Sequence, residues 1–233
     1  MKTIDLFLKT YPTDYDWLPY FFKSIERYVT GFRNIVAVVE DQYEAPPNLP
    51  ANAVVKFCRS YLAGGDIETN FGAAIERLRA WAYSDADVII YVDSDCVFTR
   101  PVDLQTDPLI HAERPLIYYR PWDEAGPAVC WKALTIATLG FDPPYETMAC
   151  YPATYPRSVL VDLWEHVGGE KRLISLKTPT DLNVMGNFAL THCQDRVLPG
   201  YAPMITNPCV RQFWSWDRAA AAKVQAELRE YGL

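Results

Sequence analysis

The sequence predicts an α/β protein with an open, mixed, mainly parallel sheet flanked by helices and an irregular second half rich in proline and aromatic residues. Two observations lead to this fold class. In the first half, short β-branched runs alternate with segments whose apolar residues recur at helical spacing. Prolines and aromatic residues then become frequent after about Pro101. We therefore expect a single domain, with an α/β half at residues 1–103 and a less regular half at residues 104–233.

Four strands are predicted in the first half, with two helices between them. The continuous apolar character of the second and fourth strands is typical of a parallel sheet that is covered on both faces. The first helix has an apolar stripe from Trp17 to Tyr28, and the second begins after Gly64-Gly65 with Asp66 as its N-cap residue. The predicted strands are Ile4–Leu8, Ile35–Val39, Val54–Cys58 and Asp87–Val92.

Further helices are predicted in the second half, and no linker separates it from the first. Glycine is common just past a helix end, and it follows two of these segments. The predicted helices are 129–139, followed by Gly140; 159–167, followed by Gly168-Gly169; one that starts at Thr180-Asp181; and one at about 217–231.

The charge balance is acidic, with 22 Lys and Arg against 29 Asp and Glu, which gives a formal net charge of −7. Each phosphate contact needs a neutralising cation, so this balance disfavours duplex DNA as a partner, although a local basic groove stays open. No apolar run has the length of a membrane span, and the six cysteines lack metal-ligand spacing. We expect a cytoplasmic protein with reduced, mostly buried thiols.

The strongest candidate site is the pair Asp93 and Asp95, which directly follows the fourth predicted strand. Alternate residues of an extended chain point the same way, so both carboxylates face the sheet edge where open α/β folds bind ligands. Two hard oxygen anions suit Mg²⁺ or Mn²⁺, and such ions typically bridge substrate phosphates. The alternative is that the two acids only end the strand and accept hydrogen bonds in the following turn.

This part of the sequence resembles the GT-A glycosyltransferases, which use nucleotide-sugar donors. The similarity lies in the helix residues Asn70–Ala74, in the strand and D-x-D motif of Ala86–Asp95, and in Arg100-Pro101, and it covers about residues 3–103. The sequence from Asp93 to Pro101 also resembles a poorly characterised bacterial and phage branch of GT-A-like proteins. The resemblance implies a GT-A-like fold, a Mn²⁺ or Mg²⁺ ion at the two D-x-D acids, and transfer of a sugar to a hydroxyl acceptor. Residues 1–103 would then be the nucleotide-sugar-binding half of the domain, and residues 104–233 the acceptor-side half.

The resemblance also places Thr10, Tyr11 and Asp41 where these enzymes commonly hold the nucleoside of the donor, and its charge makes Arg77 a candidate for the diphosphate. Arg77 would contact the diphosphate, and a solvated charge on an exposed helix face is the alternative for this residue. Asp41 would accept a hydrogen bond from the base or the ribose, or else it forms an Asx turn. Tyr11 would stack on the base, or it packs as an ordinary aromatic residue beside a strand. The residues assigned to the donor nucleotide are Thr10, Tyr11, Asp41, Asn70, Arg77 and Ser94.

Asp181 is the candidate catalytic base, because inverting GT-A enzymes commonly place a carboxylate at a helix start after the D-x-D motif. An ordinary N-cap role is the alternative, since a side-chain oxygen at this position accepts from the first backbone N–H groups of a helix. The chain lacks the Glu-Asp pair typical of the closest inverting relatives, so inversion and retention both stay open. GT-A enzymes often add a third metal ligand from a C-terminal segment, which here would be Asp217 or Asn207. The alternative for Asp217 is that it caps the terminal helix.

The expected function is therefore a metal-dependent glycosyltransferase. A noncatalytic nucleotide- or carbohydrate-binding module is one alternative. A sugar nucleotidyltransferase is another, but the loop Lys9–Asp14 has no glycine to cradle a triphosphate. The acceptor stays open between a glycan, a small molecule and a hydroxylated nucleobase of phage DNA.

Overall fold

The central element of the structure is a five-stranded sheet. The computed structural model describes residues 1–60, 69–148, 152–176, 180–205, 208–213 and 221–233. In chain order, the strands are β1 (Ile4–Lys9), β2 (Val29–Thr30), β3 (Asn34–Glu40), β4 (Ala53–Cys58), β5 (Val88–Val92), β6 (Cys96–Phe98), β7 (Val102–Asp103), β8 (Leu116–Pro121), β9 (Tyr145–Glu146), β10 (Ala153–Pro156), β11 (Leu198–Tyr201) and β12 (Val210–Gln212). The α-helices are α1 (Leu18–Tyr28), α2 (Thr69–Leu78), α3 (Lys132–Leu139), α4 (Arg157–His166), α5 (Gly169–Leu176), α6 (Leu182–His192) and α7 (Ala221–Glu230).

The central sheet has the strand order β10-β5-β1-β3-β4. The strands β5, β1, β3 and β4 run parallel to one another, whereas β10 is antiparallel to β5. The predicted α/β class with a mainly parallel sheet is confirmed, and the four predicted strands correspond to β1, β3, β4 and β5. Because β10 comes from the second half of the chain, both halves contribute to one sheet.

Helices pack on both faces of this sheet because its strands bury side chains on both sides. Along β1, Leu6 and Leu8 belong to one apolar cluster with the buried stripe of α1. Phe7 points to the opposite face and packs in a second cluster with residues of α2, α4 and α6. Each fully buried Leu or Phe side chain contributes about 1.5–3 kcal/mol relative to an exposed one. This alternation along the strands therefore holds a helical layer on each side.

The ends of the helices agree in part with the sequence predictions. Gly140 follows α3 with φ +80°, a left-handed conformation that glycine adopts without a steric penalty. The start of that helix differs, because a 3-10 segment, Gly126–Trp131, covers the first residues of the predicted 129–139 helix. α7 begins at Ala221, and the predicted helix residues from Asp217, like the predicted N-cap Asp66, lie outside the described residues.

Smaller sheets and one terminal helix complete the fold. β12 pairs antiparallel with β6, which directly follows the D-x-D motif. A sheet of order β11-β8-β9 lies wholly within the second half. α7 packs its residues Val224 and Leu228 in a small apolar cluster with Val97 and Phe213. The C-terminal segment is thus attached to the N-terminal half at the end of β5.

Two simpler features also bear on the sequence expectations. Most of the described cysteines are buried free thiols, and Cys130 is an exposed one. Within the described ranges, no helix combines the length and the apolar character that crossing a membrane requires.

Candidate functional site

The crevice between the carboxyl ends of β1 and β5 is where this sheet is expected to bind a ligand. From β1 the sheet continues through β3 and β4 on one side, whereas β5 lies on the other side, so the strand order reverses between β1 and β5. Ligands of open α/β sheets bind beyond the strand ends at such a reversal. Leu8 pairs with Val92, so the residues that follow, Lys9 and Asp93, are neighbours at this point.

One amide contacts both acids of the D-x-D motif. Gln212 Nε2 donates to Asp93 Oδ2 at 3.3 Å and to Asp95 Oδ1 at 3.4 Å. β12 positions this amide, because Gln212 lies opposite Cys96, the first residue of β6. Sequence reasoning missed Gln212, since only the pairing of two distant strands brings position 212 to the motif.

Arg77 joins three of the predicted site residues into one network. Its Nη2 donates to Asp93 Oδ1, and its Nη1 donates to Asp181 Oδ2 at 2.7 Å. The side chains of Arg77, Asp93 and Asp181 are 17%, 18% and 9% exposed, so water screens these ion pairs only weakly. Arg77 therefore does not lie on an exposed helix face, and two carboxylates share its charge.

Asp181 precedes α6 in the N-cap position that the sequence offered as its alternative role. Its Oδ1 accepts from the backbone N–H of Leu182 at 2.7 Å, and its Oδ2 accepts from Arg77. The preceding residue is also held, since Thr180 Oγ1 lies 2.9 Å from Thr135 Oγ1 on α3. Both carboxylate oxygens thus have a partner, and a role as a base would use their second lone pairs.

A buried amine lies beside this network, at the carboxyl end of β1. Lys9 is 3% exposed, and among the described residues its Nζ has no hydrogen-bond partner. The amine lies 3.9 Å from the centre of the Tyr11 ring. Burial lowers the pKa of Lys9, and the nearby groups of Cys58, Glu40 and Glu76 oppose that shift.

The buried acid at the end of β3 is Glu40, one residue before the predicted Asp41. Glu40 is 1% exposed, and its Oε2 accepts from Gln42 Nε2 at 3.0 Å. Asp41 is exposed, and its backbone N–H donates to the carbonyl oxygen of Cys58 at 2.7 Å. The structure therefore places the Asp41 carboxylate at the surface and brings Glu40 into the environment of Lys9.

The remaining residues assigned to the donor differ in accessibility. Thr10 and Ser94 are buried at the ends of β1 and β5, and the Thr10 hydroxyl has no hydrogen-bond partner in the described part of the chain. Tyr11 is half-buried beside them. Asn70 belongs to α2, but its side chain lies outside the described residues. Thr10, Tyr11 and Ser94 thus lie just beyond the ends of β1 and β5, the two strands that border the crevice.

The D-x-D acids have the chemistry of a divalent-cation site. Mg²⁺ and Mn²⁺ prefer oxygen ligands, and Mg²⁺ is commonly bound through one or two carboxylates plus water and substrate phosphates. The described residues contain no group of three or more His, Cys, Asp or Glu side chains placed to hold a metal. The third-ligand candidates Asn207 and Asp217 lie outside the described residues. The carboxylates of Asp93 and Asp95 fit the oxygen preference of the expected ion, which would take the place of the Arg77 guanidinium and the Gln212 amide as their partner.

Comparison with known proteins adds no assignment. No protein-family model matches the chain, and no curated protein matches it either. Function is therefore inferred from the geometry of the crevice together with the sequence resemblance.

Proposed function

We propose that this protein is a metal-dependent glycosyltransferase that moves a sugar from a nucleotide diphosphate-sugar donor to a hydroxyl acceptor. The observation that carries the proposal is the network of Asp93, Arg77 and Asp181 at the reversal between β1 and β5. The sequence predicts Asp93 as a metal ligand, Arg77 as a donor contact and Asp181 as the base, and the Arg77 side chain contacts both acids. Gln212 extends the network to Asp95.

The chemistry of the reaction requires charge stabilisation on the departing diphosphate. A Mn²⁺ or Mg²⁺ ion bound by Asp93 and Asp95 would supply it as a Lewis acid. Asp95 and Asp181 are buried, and electrostatic interactions are stronger where water is excluded. The crevice therefore provides a suitable setting for separating charge between the donor sugar and its leaving group.

In this scheme Arg77 positions the two carboxylates. Charge-assisted hydrogen bonds are shorter and stronger than neutral ones, and one guanidinium makes one to each acid. The N–H of Leu182 and the guanidinium fix the orientation of the Asp181 carboxylate. Its remaining lone pairs can accept the proton of the attacking acceptor hydroxyl, as general-base catalysis requires.

A donor-turnover assay tests the proposal. The protein is incubated with a panel of nucleotide diphosphate-sugars and Mn²⁺, and release of the nucleoside diphosphate is measured. We expect Asp95→Asn to lower turnover about 100-fold or more, because a bound metal supplies several kcal/mol of charge stabilisation. Asp195→Asn changes an acid that is 83% exposed and should keep wild-type turnover. Undiminished turnover in the Asp95 variant or in EDTA would contradict the metal role.

A noncatalytic nucleotide-binding module is the second candidate, and the occupied carboxylate oxygens favour it. Asp181 both caps α6 and pairs with Arg77, which amounts to a complete structural role. Calorimetry with nucleoside diphosphates, with and without Mn²⁺, separates the two candidates when it is combined with the turnover assay. Nucleotide binding without release or transfer of sugar from any donor in the panel would identify a module.

A further inference from the structure

Two cations beside the crevice, Arg77 and Lys9, differ in how the protein uses their charge. Arg77 is paired with Asp93 and Asp181. Lys9 Nζ is buried, and no hydrogen-bond partner for it occurs within the described ranges. An ammonium group has three hydrogen-bond donors, and burying them without acceptors costs free energy. Lys9 is therefore the cation with hydrogen-bonding capacity for a ligand.

The described residues around Lys9 contact its amine but accept no hydrogen bond from it. The Tyr11 ring lies over Nζ at 3.9 Å in a cation–π contact, and this ring is the partly exposed member of the pair. The carboxylates of Glu40 and Glu76 act on the charge of Lys9 from nearby. Each of them already accepts a hydrogen bond from another side chain. The contact with Tyr11 thus separates the amine from the solvent.

Position in the sheet gives this amine its relevance to a ligand. Lys9 ends β1 and follows Leu8, the partner of Val92, so it stands next to Asp93 across the strand-order reversal. A ligand in the crevice would therefore have the D-x-D acids on one side and Lys9 on the other. A phosphate oxygen accepts the hydrogen bonds that an ammonium donates, and the resulting charge-assisted bonds are stronger than neutral ones.

We propose that Lys9 binds the phosphate oxygens of the nucleoside diphosphate moiety of the donor after the Tyr11 ring moves aside. This assignment rests on the proposed function, which supplies the anionic ligand. It gives Lys9 the diphosphate contact that the sequence predicted for Arg77, whose charge is shared by two carboxylates. Tyr11 then acts as a cover that the ligand displaces.

Calorimetry on the full chain tests Lys9 and the proposed function separately. The ligands are UDP, GDP, ADP and CDP, each with Mn²⁺ and again in EDTA. Lys9→Met and Lys9→Gln remove the charge, and Lys56→Met makes the same change at an exposed lysine of β4. We expect both Lys9 variants to weaken binding of the preferred nucleotide about tenfold or more, as loss of a hydrogen bond to a charged group does. Lys56→Met should bind as the wild type does.

The possible outcomes are distinguishable. Wild-type affinity in both Lys9 variants would overturn the role of Lys9 and leave the glycosyltransferase proposal standing. If the wild-type protein binds none of the four nucleotides, the proposed function fails, and the role of Lys9 fails with it. Melting curves accompany each titration, because loss of the folded state in both Lys9 variants would give this residue a structural role and also overturn the proposal.

Discussion

Replacing Arg77 tests whether Asp93, Arg77 and Asp181 form one energetic unit. Arg77→Met keeps much of the aliphatic length and removes the charge, so two carboxylates lose their common partner. Loss of a hydrogen bond to a charged group costs about 1.5–3 kcal/mol, and breaking a buried ion pair costs about 3–5 kcal/mol. Because these side chains are largely shielded but not fully buried, we expect the free energy of unfolding to fall by about 3–4 kcal/mol.

Asp181→Asn isolates one arm of the network. Asn is as good an N-cap residue as Asp, so the variant keeps the hydrogen bond from Leu182 and loses mainly the ion pair with Arg77. The expected loss is about 2 kcal/mol. The double variant should lose about as much as Arg77→Met alone, because both single changes remove the same contact. The coupling energy of the cycle is then about 2 kcal/mol.

Urea unfolding followed by tryptophan fluorescence measures all four proteins of this cycle, and its slope should stay constant across them. The control is Arg196→Met with Asp162→Asn, which removes a pair that is 30% and 48% exposed. That cycle should show a coupling of about 0.5 kcal/mol. If the Arg77 and Asp181 effects add to within about 0.5 kcal/mol, the network carries no coupled energy and the reasoning is refuted.

Two further predictions concern packing and thiol chemistry. Gly186→Ala should destabilise the protein by about 1–3 kcal/mol, because a Cβ on α6 would lie 2.8 Å from Thr147 Cγ2 and collide with the rest of that side chain; an unchanged melting curve would contradict this. Burial raises the pKa of Cys58 to about 12, so iodoacetamide at pH 8 should alkylate the exposed Cys130 and spare Cys58, as peptide mass spectrometry would show. Since the folded-state pKa lies above the ordinary value of 9.0, the neutral thiol stabilises the fold below about pH 9, and this contribution is lost as the pH rises toward about 12.

Burial on both faces made the parallel strands predictable. β3 and β5 are continuous apolar runs, as the packing of helices on each side of the sheet requires. β10 was not predicted, because its four residues, Ala153–Pro156, resemble the irregular proline- and tyrosine-rich segments around them. They become a strand by pairing with β5, where Tyr155 lies opposite Ile89. Such an edge strand depends on a partner that local sequence does not identify.

The candidate site, like the fold, was predictable where local sequence decides and not where distant segments meet. The end of a buried strand places Asp93 and Asp95 at the sheet edge, and this follows from local pattern alone. The contacts of Arg77 do not, because helical spacing indicates a face but not the carboxylates that this face meets. The local sequence did contain an indication for Lys9. Burying a charged side chain at the end of an apolar strand costs free energy, so a lysine at this position points to a role at the strand end. Gln212 had none.

The pairing of β12 with β6 determines when, during synthesis, Asp93 and Asp95 can receive the hydrogen bonds of Gln212. Gln212 lies 119 positions after Asp93, so the two negative charges emerge from the ribosome long before the amide that bridges them. Contacts across such separations form late, because loop closure has to precede them. The N-terminal strands can associate while translation continues, whereas the two acids acquire the hydrogen bonds of Gln212 only when β12 docks.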